Sequence, residues 1–283
     1  MADLHRLRKL TKLPLTGAKA KAPLYPLQVG MPAIDSIHDD SITFKPKGAR
    51  STYRILRTTE TDTYEKTDAA VGFAKALQAQ KAPSTAAIKA AARKPPSTGD
   101  QFGGKDRKAA KLSKGTGKTE TFSDVSKLIA TLPSRNVMAA LKIPLGPTSG
   151  RVSQEQRNVH VTGFLYAASR EADNDFHLVV GRDPKASGPA MYMTMEISGL
   201  PPNNNPAFAA INGARTSYKK FFGAKLPLAG YDYYSANPIP VVIEGSLFWD
   251  ATHSTGQAPG PPSLKPNMPT IWEVHPITSI KLG

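Results

Sequence analysis

Val159–His160–Val161–Thr162–Gly163–Phe164–Leu165–Tyr166 is the stretch that decides how this chain is read, because Val159, Val161, Gly163 and Leu165 alternate with His160, Thr162, Phe164 and Tyr166. A period of two marks a strand that turns one face inward. Working outward, Phe176 to Val180 gives a second strand after the acidic turn Glu171–Ala172–Asp173–Asn174–Asp175, and Met191 to Ile197 gives a third. A helix follows: Asn205 stands as its cap, Pro206 sits in its first turn and Gly223 at its end, with Phe208, Ile211, Tyr218 and Phe222 as the apolar stripe. Pro240 to Phe248 is a fourth strand and Ile271 to Ile280 a fifth. The fold class is therefore mainly β: an OB-like five-stranded barrel over residues 158–283, with one helix between strands 3 and 4. An α+β sandwich is the alternative packing of the same elements.

Upstream, the chain divides by composition. Residues 1–39 read as a basic arm in which Leu4, Leu7 and Leu10 share one helical face among Arg6, Arg8, Lys9 and Lys12. Residues 40–80 read as a small hairpin plus helix: Ile42–Phe44, a turn at Lys45–Gly48, a β-rich run from Ser51 to Thr59, then a helix capped by Thr67 or Asp68. Residues 81–120 are a Lys/Ala/Pro-rich stretch, expected to be a flexible basic linker because it offers little apolar surface to offset its ordering entropy. Residues 121–157 hold a helix, capped at Ser123 or Asp124 with Val125, Leu128, Ile129 and Leu132 on one face, and a connector. The N-terminal half is thus expected to be partly disordered.

Charge follows the same division. Of the 37 Lys+Arg and 22 Asp+Glu, residues 1–150 hold 26 and 12, a net of +14, and residues 151–283 hold 11 and 10, a net of +1. A basic half calls for an acidic partner, nucleic acid or another polyanion. With no cysteine, disulfides, thiolate zinc sites and a cysteine nucleophile are excluded. No apolar run reaches membrane-span length, so no membrane partner and a cytoplasmic location are the expectation.

The run Ile243–Glu244–Gly245–Ser246–Leu247–Phe248–Trp249–Asp250, then His253, Ala258–Pro259 and Trp272–Glu273–Val274–His275–Pro276, resembles the ending of a group of uncharacterised bacterial proteins. Their pattern is close to G-V-x-F-F-D-x-x-H-G, a short A-P-N turn and E-L-H-P-V. Glu171–x–Asp173–x–Asp175–Phe176–His177–Leu178 is similar to their E-x-D-x-D-x-H-L segment. The resemblance covers about residues 158–282, departs at Ser254 and in a longer Pro-rich insert before Trp272, and implies the fold but no activity.

Three constellations carry chemistry. Asp250 and His253 leave strand four and Glu273 and His275 enter strand five, so antiparallel pairing would bring these four together, with Asp173, Asp175 and His177 at the first hairpin. Carboxylates with imidazoles suit a divalent metal ion and a hydrolase or nuclease; hydrogen bonding that ties down a loop is the competing role. Phe164, Tyr166, Tyr192 and Trp249 are stacking candidates on an OB binding face, or core. Lys89, Arg93, Lys94, Lys105, Arg107, Lys108, Lys111, Lys114 and Lys118, with Arg170, Arg182 and Lys185, are the candidate phosphate contacts. Gly115–Thr119 is no P-loop, since the required upstream glycine is Leu112.

The first functional expectation is a non-enzymatic binding protein whose basic arm gives non-specific polyanion binding, with no catalytic residue and no cofactor. The second is the metal-dependent hydrolase using Asp250, His253, Glu273 and His275. The third is a structural or assembly component, a homo-oligomer or a larger assembly, with an ordered basic arm.

Overall fold

The computed structural model describes residues 40–58, 60–61, 99–254 and 258–283. The Leu4–Leu10 arm, the helix expected after Thr67, and Lys89, Arg93 and Lys94 lie outside the described residues.

In chain order the elements are β1 (Asp40–Phe44), β2 (Tyr53–Arg57), α1 (Lys108–Lys111), β3 (Thr119–Phe122), α2 (Val125–Ile129), α3 (Arg135–Ala140), β4 (Asn158–Arg170), β5 (Phe176–Gly181), β6 (Tyr192–Ile197), α4 (Phe208–Phe222), β7 (Asp232–Tyr233), β8 (Ile239–Trp249) and β9 (Trp272–Leu282). Five strands close on themselves in the order β4-β5-β6-β9-β8-β4. Every pairing around the ring is antiparallel except β6 with β9, which is parallel. This is an OB-like barrel, with α4 between its third and fourth strands. Closure leaves the barrel without an open edge.

The long first strand makes closure possible. β4 pairs β8 over Asn158–Leu165 and β5 over Phe164–Arg170, and a bulge between Leu165 and Ala167 bends it from one neighbour to the other. β8 approaches β9 so closely that a Cβ at Gly245 would lie 2.5 Å from the Pro276 carbonyl oxygen. Only glycine permits that approach.

In the main core, Leu178, Val179, Met193, Met195, Ile243, Leu247, Val274 and Ile277 are fully buried. Each such side chain contributes about 1.5–3 kcal/mol relative to exposure. α4 begins at Phe208, just after Asn205 Oδ1 accepts from the Ala207 N–H at 2.8 Å, and it ends at Gly223, where φ is 55°. The hairpin β1–β2 does not stand alone. β2 pairs β7 through Leu56–Tyr233 and Arg57–Asp232, and Phe44 stacks on Phe222 of α4. No helix among the described residues is long and apolar enough to cross a membrane.

The expected linker is where the structure departs most from the sequence reading. Residues 99–120, the described part of it, are packed on the barrel rather than loose. Phe102 and Leu112 are buried with Ile211 of α4, and β3 runs parallel to β4. Two arginines lock the segment down. Buried Arg107 forks onto Glu155 at 2.6 and 2.7 Å and donates to the Trp249 and Gly150 carbonyls. Arg151 donates to the carbonyls of Ala110, Ser113, Leu247 and His275. Counted as charge, these residues argue for solvation; as hydrogen-bond forks they bind backbone to backbone.

Candidate metal centre

The clamped segment lays α1 across one end of the barrel, beside a cleft of about 640 Å³. Its lining includes Lys105, Lys111, Glu171, Asp173, Glu196, Asp250, His253 and Glu273. Six carboxylates line it against two lysines, Asp106 being the sixth. Three of the six, Glu196, Asp250 and Glu273, are buried, and such an excess of negative charge calls for cations.

Sheet register builds the floor. His177 of β5 lies opposite Glu196 of β6, and the parallel pairing of β6 with β9 brings Glu273 and His275 alongside. The period of two puts Asp175 on the His177 side of its strand and Glu273 on the His275 side. Asn174, with φ at 74°, makes the turn that aims Asp175 inward; its amide donates to the Gln101 carbonyl and its oxygen accepts from Arg170. Asparagine tolerates that left-handed geometry better than most residues.

Two sets of donors converge on Glu196. On one side His177 Nδ1 is 3.1 Å from Glu196 Oε1 and 3.3 Å from Glu171 Oε1. On the other, His275 Nδ1 is 2.7 Å from Glu196 Oε2, and His275 Nε2 is 3.4 Å from Asp175 Oδ2. The second set is fully enclosed, and the angles there do not suit hydrogen bonds: Glu196 Oε2, Asp175 Oδ2 and His275 Nε2 are all buried without a hydrogen-bond partner. Asp175 keeps its other oxygen on the Gly199 N–H at 2.6 Å.

The electrostatics follow from crowding. Burial, with Asp173 and Glu196 close by, holds the Asp175 carboxyl well above the usual carboxylate range. Burial together with Glu196 and Asp250 does the same to Glu273. Burial also works against Glu196, but His275, Lys111 and His177 outweigh it and hold this one carboxylate well below its ordinary value. Burial draws Lys111 down, yet Glu196, Asp175, Glu273 and Asp173 keep it well above a normal lysine, so it stays an ammonium. His177, desolvated but gripped by Glu171 and Glu196, rises to about 10. Burial draws His275 below its normal value, against the pull of Glu196.

Of the four residues expected to meet, Asp250, His253 and Glu273 line the cleft and His275 does not. Asp250 and His253 are bound to each other at the rim, with Thr252 also on Asp250. Glu273 lines the cleft, and His275 lies behind it with Nδ1 3.4 Å from Glu273 Oε2. Glu196 and Glu171 were not among the expected ligands. The signal for Glu196 was present: a single glutamate in the otherwise uncharged strand Met191–Ile197. Lys111, expected as a phosphate contact on a loose tail, is instead the internal cation of the cleft.

Other expected contacts divide by burial. Tyr166, Tyr192 and Trp249 are core residues, with Tyr166 against Tyr192 at 4.9 Å and Trp249 against Trp272 at 5.4 Å, so none offers a stacking face; Phe164 is half-buried. Arg107 is buried in its ion pair with Glu155. Arg170 is held by Asn174 and the Gly99 carbonyl, and Arg182 by Asp124. Lys105, Lys114, Lys118 and Lys185 are exposed, and Lys108 and Lys114 line a second groove of about 480 Å³ on the α1 side. Comparison of the chain with protein-family models, with curated proteins and with solved structures gives no match.

Proposed function

We propose that the barrel end is a divalent-cation centre and that the protein is a metal-dependent hydrolase of phosphate diesters, with Asp175, Glu196 and His275 as the primary ligands. One observation carries the reading: Asp175, Glu196 and His275 bring one donor atom each within 4.8 Å of one another, and Asp175 Oδ2, Glu196 Oε2 and His275 Nε2 are buried with no hydrogen-bond partner. Leaving such atoms unpaired costs about 1–3 kcal/mol each or more when charged, and a cation relieves all three together. Two carboxylates with one imidazole suit Mn²⁺ or Zn²⁺ better than a soft-metal site would. A cation there supplies Lewis acidity and an activated water. Lys111 stands ready to neutralise charge developing on a phosphoryl group, and the exposed Lys105 on the cleft, with Lys108 and Lys114 on the second groove, favours an anionic substrate.

The basic segment then serves substrate capture rather than a separate binding function. The test is calorimetric titration of the full chain with Mn²⁺ and Zn²⁺, paired with cleavage of bis(p-nitrophenyl) phosphate and of a labelled single-stranded oligonucleotide. The expected result is cation binding and turnover, with turnover lost in His275→Ala. An oligonucleotide held in the presence of metal but never cleaved would overturn the hydrolase reading in favour of a binding protein. Absence of cation binding would sink the centre itself.

A further inference from the structure

We infer that the cleft takes a second divalent cation, between Glu171, His177 and Glu196, and that Glu196 bridges the two ions through its separate oxygens. This rests on the cation reading above and extends it. Glu196 divides its donor atoms cleanly: Oε1 faces His177 and, through it, Glu171, while Oε2 faces His275 and, through it, Asp175. Ligands about 2.1 Å from one ion stand about 3.0–3.4 Å apart at octahedral or tetrahedral angles. Around the second position the contacts are 3.1 and 3.3 Å, both from the one nitrogen His177 Nδ1, which matches that spacing. A carboxylate spanning two such sets suits ions about 3.5–4 Å apart, the usual two-metal separation.

His177 Nδ1, in a fully buried ring, faces both Glu171 and Glu196, so a cation entering there takes the place of its proton. The two positions also differ in access. Asp175 and His275 are fully enclosed, whereas the Glu171 side chain is 31% exposed and lines the cleft. The second ion is therefore the one nearer solvent, exchanges faster, binds more weakly and sits where a substrate oxygen can reach it.

The experiment is Mn²⁺ titration of the full chain by calorimetry, with electron paramagnetic resonance of the saturated protein. Two equivalents of unequal affinity and the exchange-coupled spectrum of a manganese pair are expected. Glu171→Gln reduces the stoichiometry to one and leaves an uncoupled spectrum; Glu171 is partly exposed, so the variant keeps its fold, checked by circular dichroism. Should that variant fail to fold, the wild-type spectrum alone decides. One equivalent in the wild type, unchanged by Glu171→Gln, overturns the second ion and leaves the first centre standing. Two equivalents without coupling overturn the bridge. No binding at all overturns both readings.

Discussion

Glu155 and Glu196 are both buried glutamates within the same barrel, and they are satisfied in opposite ways. Each oxygen of Glu155 accepts twice, from Arg107 and from the Trp249 or Val152 N–H. Only the Arg107 Nε of that cluster lacks a partner. Glu196 meets two imidazoles, leaves Oε2 without a hydrogen bond and opens on a cleft crowded with other carboxylates. A buried charge whose lone pairs are all used holds structure together. One whose atoms remain unused, among like charges, is set up for something that arrives from solution.

The sharpest way to break this contrast is to truncate the closed side. Glu155→Ala strands the Arg107 guanidinium inside the protein and releases α1 from the barrel. Removing one partner of a buried pair costs about 3–5 kcal/mol, read as a fall in the urea midpoint. A change under about 1 kcal/mol would mean that Glu155 is not the closed structural counterpart described above.

The open side is probed by adding what it lacks. Mn²⁺ at about a hundred times its dissociation constant should stabilise the protein by about 2.7 kcal/mol, seen as a rise in Tm. His275→Ala should abolish that rise while leaving the Tm of the cation-free protein within a few degrees. Equal stabilisation in the variant would move the ion elsewhere.

Asp232 is an intermediate case and sharpens the rule through pH. Both its oxygens are bound by Arg57, at 2.8 Å each, yet burial pushes its carboxyl up to about 6 against that pairing. In the unfolded chain the group titrates near about 3.9. Between those values the folded chain binds the extra proton, so stability falls as pH rises from about 4 to about 6 and is level above. The fall amounts to about 2 kcal/mol, with each pKa unit worth about 1.4 kcal/mol and Arg57 partly exposed. Asp232→Asn should flatten that slope in denaturation measured across the window.

Much of the fold was legible because its signals are local. The alternation at Val159–Tyr166, the cap and stop of α4 at Asn205 and Gly223, and the strand limits near Pro240 and Ile271 each need only a few neighbouring residues. The clamp was not legible, because its meaning depends on partners far along the chain: Arg107 reaches 48 residues to Glu155, and Arg151 reaches 124 to His275. Composition counts an arginine as solvated charge whether it faces water or a carbonyl. The cleft fell between these limits. Pairing of β8 with β9 could be inferred, so Asp250, His253, Glu273 and His275 were placed together. The parallel pairing of β6 with β9, which delivers Glu196, depends on barrel closure and had no local mark.

The smallest effect has the most diagnostic sign. Burial, Glu196 and Asp250 hold the Glu273 carboxyl well above the usual range, so ionising it costs the folded protein stability. A group whose folded pKa is raised makes stability fall as pH climbs past its unfolded value of about 4.3. Glu273→Gln keeps the shape and removes that burden. In the cation-free protein at neutral pH the variant should therefore be more stable than the wild type, by roughly 1 kcal/mol, the low end for relief of a buried like-charge contact. In saturating Mn²⁺ the order should reverse, because the ion turns the same carboxylate from a repelled neighbour into an attracted one. Glu155→Gln gives no such reversal, since its partners are built into the chain. Paired Tm measurements with and without Mn²⁺ read both variants, and a Glu273→Gln protein less stable in both conditions would place Glu273 with Glu155 on the structural side.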